Sequence, residues 1–154
     1  MRNCGVALAV GILCLPVSAL ATGGVGCTVQ DDNIDFSFEA LFGHGVVTPL
    51  FQVKASLGVR NPKLHGKHRT IEMDDSHLKQ QWFHGSDLKL LFYVEATDKD
   101  APFSAATLTV EATQPPGEDI AYNGKYVLEL EDATMDSGNG EPVRFEGRID
   151  CSAG

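Results

Sequence analysis

The chain has 154 residues, 43% of them hydrophobic, and carries 21 acidic against 12 basic side chains, a formal net charge of −9. That length suits one domain with its own core and is short for two. The negative balance disfavours nucleic acid and anionic lipid surfaces as partners of the molecule as a whole.

Residues 1–21, MRNCGVALAVGILCLPVSALA, have the three-part layout of a secretory signal: Arg2, an uncharged apolar run from Val6 to Val17, and a small-residue close at Ala19-Leu20-Ala21. An uncleaved anchor is the alternative, because about 20 apolar residues can cross a bilayer. Pro16, Ser18 and the glycine-rich stretch 22–26 favour cleavage after Ala21 instead. The expected organisation is therefore a signal peptide over 1–21 and a single disulfide-closed domain over 22–154, with no membrane span in the mature chain. Losing Arg2 takes the net charge from −9 to −10.

Cleavage removes Cys4 and Cys14 and leaves Cys27 and Cys151, one near each end of the domain. Export with an even cysteine count predicts an oxidising location, periplasmic or secreted, and one disulfide. A redox-active pair would sit close together as C-x-x-C, and these two do not.

Alternation of apolar and polar residues, the period of a half-buried strand, recurs through the chain. It runs through Ile34, Phe36, Phe38 and Ala40, then through Phe51, Val53, Ala55, Leu57 and Val59. DLKLLFYVEA places Leu88, Leu90, Phe92 and Val94 on one face, and Leu91 and Tyr93 make the other face apolar too, which predicts a central strand. Further runs pass through Leu108, Val110 and Ala112, through Tyr126, Leu128 and Leu130, and through Val143, Phe145, Gly147 and Ile149. Cys151 falls in phase with Phe145 and Ile149, so it points into the core.

Turn signals separate these runs: FGHG, NPKLHG, TDKDAP, TQPPGED, YNG and DSGNGEP. Short strands between Gly, Pro, Asn and Asp clusters predict an all-β, single-domain antiparallel β-sandwich, with a small β-barrel as the alternative. One short helix is expected near 75–84, in DDSHLKQQWFHG, where Asp75 or Ser76 caps it, Leu78 and Trp82 share a face, and Gly85 ends it. Phe42, Trp82 and Phe83 are expected in the core.

Acidic residues are absent from Ala40 to Ile71, where Lys54, Arg60, Lys63, Lys67 and Arg69 cluster with His44, His65 and His68. A surface of this kind fits an anionic partner, either a phosphorylated or carboxylated envelope glycan or the acidic face of another envelope protein. The bland reading is a strand exterior and loop kept soluble by lysine and arginine. The Glu111 to Glu141 half is acidic by contrast, so a head-to-tail oligomer is a further arrangement.

No cofactor is expected, and two metals are candidates. His65 and His68 in LHGKHR supply two zinc ligands, with Glu72, Asp74 or His77 able to complete the set if the loop folds back. Asp98 and Asp100, and Asp132, Asp136, Asn139 and Glu141, offer calcium-type oxygens, but neither group matches the twelve-residue calcium loop. Ser76 and Lys79 match S-x-x-K without its companion elements, and the chain has no G-x-S-x-G, P-loop, G-x-G-x-x-G or H-E-x-x-H. The expected function is a non-catalytic exported binding module with a basic patch for an anionic partner. The alternatives are a small exported hydrolase or metal-binding protein, and a structural envelope protein.

Overall fold

A computed structural model describes residues 22–43, 49–60, 70–95, 105–131 and 142–154. The expected signal segment 1–21 lies outside these residues. They form nine strands: β1 (Gly23–Gln30), β2 (Ile34–Phe42), β3 (Phe51–Val59), β4 (Thr70–Asp74), β5 (Leu78–His84), β6 (Asp87–Glu95), β7 (Ala105–Thr113), β8 (Ala121–Glu131) and β9 (Val143–Ala153). One antiparallel sheet contains all nine, in the order β4-β3-β2-β1-β9-β8-β7-β6-β5. The all-β expectation holds.

The sheet curls until it nearly closes, because its apolar face has to be covered and, among the described residues, the cover is the far half of the same face. Phe36 and Phe38 of β2 meet Phe92 of β6 edge-on, with ring centroids 6.0 and 5.6 Å apart. A sandwich and a barrel both describe this shape. Alternation decides what goes inside: Ile34, Leu57, Leu88, Leu90, Leu108, Val110, Leu128, Leu130 and Ile149 are all buried while their neighbours along each strand face out. Each large apolar side chain so placed stabilises the fold by about 1.5–3 kcal/mol.

Every neighbouring pair in the sheet is consecutive in the chain except β1 and β9. Cys27 and Cys151 face each other across that junction and are bonded, with Cα atoms 4.0 Å apart and a sequence separation of 124. The position follows from the ladder. Gly24 and Gly154 exchange both backbone hydrogen bonds, at 2.7 and 2.9 Å, so the alternation puts the cysteines at a pair without ladder bonds, where strands come closest. Both cysteines are buried, as the phase of Cys151 predicts.

The sheet's remaining gap lies between β4 and β5, its two outer strands. They are joined by the turn Asp75–His77, yet β4 pairs with β3 and β5 pairs with β6. Side chains span the gap. Gln52 adopts φ +54° where the β2–β3 register slips, and the Val53 N–H donates to Asp75 Oδ1 at 3.2 Å. The Leu50 N–H donates to Gln81 Oε1 of β5 at 2.6 Å.

Four local expectations are corrected. The helix near 75–84 is instead a turn followed by the strand β5, and the described residues contain no helix. Its cause is Asp74, whose carboxylate accepts from the Ser76 N–H and whose carbonyl accepts from the His77 N–H, fixing a turn where the helix would start. A register slip between Leu78 and Gln80 then breaks the alternation, so Leu78 and Phe83, an odd five residues apart, are both partly buried. Gly85, expected as a helix end, has φ +60° in the hairpin turn between β5 and β6.

YNG is not a turn but the start of β8, where Gly124 lies against the backbone of Glu111 and Ala112. DLKLLFYVEA is the penultimate strand rather than a central one, and Leu91 and Tyr93 are half-buried on the outer face. Of the three aromatics, Phe42 and Phe83 pack against each other with centroids 5.0 Å apart, whereas Trp82 is 55% exposed. TQPPGED is a turn as expected: Gly117 takes φ +86° and the Glu118 N–H donates to the Pro115 carbonyl at 3.1 Å.

Candidate functional site

Among the described residues the interior is filled by apolar side chains together with Tyr122 and Tyr126, and every buried side-chain polar atom has a partner. Binding chemistry therefore belongs to the outer faces. Toward one end of β2, β3 and β4 four outward residues are short, Ser37, Ser56, Gly58 and Thr70, and the same two rows carry Asp35 and Glu72. With Asp35, Val59 and Arg60 they enclose a shallow depression of about 530 Å³. Its lining carries the hydroxyl groups of Ser37, Ser56 and Thr70, the Asp35 carboxylate and the Arg60 guanidinium.

Arg60 is held from two sides. Its Nη2 donates to Asp35 Oδ2 at 2.6 Å, and its backbone N–H donates to the Asn33 carbonyl at 2.8 Å. Asp35 fixes the orientation of the guanidinium and partly offsets its charge, leaving the remaining N–H groups of the fork for a carboxylate or phosphate. Lys54, the other described member of the basic cluster, sits between Glu39 and Asp74 in the strand registers. Lys63, Lys67 and Arg69 lie outside the described residues, as do the zinc candidates His65 and His68 and the neighbouring His44. Arg60 and Thr70, which flank segment 61–69 in sequence, both line the depression.

The turn Asp75–His77 brings together a serine, a histidine and an aspartate. His77 Nδ1 lies 2.9 Å from Asp74 Oδ1, and the Ser76 hydroxyl donates to that same oxygen at 2.7 Å. These bonds from Ser76 and then His77 hold the Asp74 carboxyl below its ordinary range. The Ser76 hydroxyl lies 3.4 Å from His77 Nδ1, so its shorter bond is to the carboxylate rather than to the imidazole, unlike a nucleophile–base pair. Lys79 Nζ donates to the Ser76 carbonyl at 2.6 Å, so the S-x-x-K spacing produces no lysine–hydroxyl contact. Glu72 bonds Ser56 rather than joining Asp74 and His77, and the described residues contain no group of three metal-ligating side chains. The calcium candidates Asp98, Asp100, Asp132, Asp136, Asn139 and Glu141 lie outside the described residues.

Two further arrangements depend on registers that no spacing in the sequence reveals. Asp31, at the start of the β1–β2 turn, accepts from the N–H groups of Asn33 and Ile34, both at 2.8 Å, and from the buried Tyr126 hydroxyl at 2.6 Å. Burial pushes the Asp31 carboxyl up, but the Tyr126 and backbone bonds outweigh it and hold the group below its ordinary range. On the outer face, Trp82, Lys89, Glu111, Lys125 and Arg148 stand directly opposite one another across β5 to β9. No protein-family model, curated protein or solved structure matches this chain.

Proposed function

We propose that this chain is an exported binding module that holds a glycan bearing carboxylate or phosphate groups on the outer face of β2 to β4, without catalysing a reaction on it. The observation that carries this reading is the depression lined by Ser37, Ser56, Gly58 and Thr70, with the Arg60 guanidinium held in its lining by Asp35. Short hydroxylated side chains suit a polyhydroxylated ligand, and the guanidinium suits its acid group. Lys63, Lys67 and Arg69, in the segment that joins Arg60 to Thr70, add positive charge in sequence. A buried disulfide fits an oxidising, extracellular compartment, and the signal-like residues 1–21 support periplasmic or secreted delivery.

The test is calorimetric titration with carboxylated and phosphorylated oligosaccharides at low and high salt. Binding that weakens as salt rises, and that falls at least tenfold in Arg60→Ala combined with Lys63→Ala, Lys67→Ala and Arg69→Ala, supports the reading. Binding unaffected by salt or by those substitutions overturns it. Crosslinking in the intact envelope that captures an acidic protein through these residues names a protein partner instead.

A further inference from the structure

We infer that the row Trp82–Lys89–Glu111–Lys125–Arg148 is a second binding track, on the same outer face but across β5 to β9, for a single chain of acidic sugars laid across the strands. The ligand class rests on the reading above; the residues do not. Each step of the row is a direct register pair, and all five side chains are exposed. At about 4.8 Å between neighbouring strands, the row spans roughly 19 Å, the reach of a short oligosaccharide. Three cations stand against one anion, in a chain whose net charge is −9.

Glu111 pairs with Lys125 at 3.3 Å, and among the described residues Lys89 and Arg148 form no ion pair. Those two cations are therefore available at positions on either side of the neutralised pair. Trp82 ends the row with 55% of its surface exposed, its ring edge-on to His84 at 6.0 Å, offering an aromatic face on which a sugar ring stacks.

Charge on the flanking rows decides the shape of the occupant. Asp87 and Asp150 lie two residues from Lys89 and Arg148 on one side, and Glu146 lies two residues from Arg148 on the other. At about 7 Å from the row, these carboxylates repel any broad anionic surface, whether membrane or folded protein, and leave room only for a thin polyanion aligned with the row. A single nucleic-acid strand shares that form, but successive bases call for several aromatic platforms and the row supplies one, Trp82, which suits a sugar chain better.

Because Trp82 is the single tryptophan of the chain, its emission reports the track directly. The disulfide-bonded protein is titrated with an oligogalacturonate of about six residues, with neutral cellohexaose and with a single-stranded DNA hexamer in parallel. The expected result is a saturable change in Trp82 emission with oligogalacturonate alone, at least tenfold weaker in Lys89→Ala/Arg148→Ala, with no change in melting temperature. Arg60→Ala/Lys63→Ala/Lys67→Ala/Arg69→Ala leaves that signal in place, which separates this track from the depression on β2 to β4. No emission change, an equal response to cellohexaose, or an undiminished response in the double variant overturns the track. Tighter response to the DNA assigns the row to a nucleic acid and overturns the sugar assignment.

Discussion

The Tyr126 hydroxyl, buried inside the sheet, donates a 2.6 Å hydrogen bond to Asp31, 95 residues away at the β1–β2 turn. It fastens the middle of β8 to the turn that precedes β2, and the Tyr126 ring lies over Gly147, where a Cβ would come within 2.6 Å of both the ring and Asp31 Oδ2. Tyr126→Phe keeps the packing and removes the bond. The expected loss is about 1–2 kcal/mol, since the acceptor is charged but only partly buried. Gly147→Ala is expected to cost about 1–3 kcal/mol through overpacking. Urea denaturation of both variants checks these values.

The same pair sets two limits on stability with pH. Burial, and then the bond to Asp31, raise the Tyr126 pKa above its ordinary 10.0. A group whose folded pKa is raised contributes stability below its unfolded value and loses that contribution as pH climbs toward the folded one. Stability is therefore expected to fall above pH 10, and Tyr126→Phe should flatten that limb. Asp31 has the opposite sign: its folded pKa lies below 3.8, so its contribution holds above that pH and fades as pH drops through the folded value. Asp31→Asn should flatten the acid limb. Melting temperatures across both ranges decide the matter.

Much of the fold was legible because six strand runs alternate cleanly over a single apolar interior, as Phe36 and Leu128 illustrate. The disulfide was legible too, since Cys151 shares the phase of Ile149. Lys79 shows where reading stopped. A register slip beside it shifts the alternation of β5, and no local composition marks such a slip. Gly124 misled for a related reason: it serves close approach to the β7 backbone, although YNG has the composition of a turn. The basic cluster was legible only as a composition, whereas the Lys89–Lys125–Arg148 row needs three registers at once.

Replacing Cys27 and Cys151 together by alanine should reveal how much the chain depends on being closed into a ring. The bond spans 124 residues, for which loop entropy alone suggests close to 5 kcal/mol. Strain and residual structure in the unfolded chain make about 2–4 kcal/mol the expected loss. With β1 and β9 joined only by their ladder, hydrogen exchange at Gly26 and Thr28 should rise more than at Leu90. Equal stability with and without reductant would show that the junction holds without its covalent tie.

Gln81 is predicted to matter more to stability than its exposed neighbour Trp82, reversing what hydrophobicity suggests. Its side-chain oxygen accepts from the N–H of Leu50, a buried residue at the gap that the sheet leaves between its outer strands. Without that acceptor the amide must face the gap unpaired or admit water, a cost of about 1–3 kcal/mol. Gln81→Ala should therefore lower stability by that amount and raise hydrogen exchange at Leu50. Gln81→Glu keeps an oxygen acceptor and should recover most of the protection. Trp82→Ala removes a side chain that is 55% exposed and is expected to change stability by less than about 0.5 kcal/mol. If Gln81→Ala leaves Leu50 exchange unchanged, the gap is held by the Phe42–Phe83 ring contact instead, and Phe83→Ala becomes the substitution that opens it.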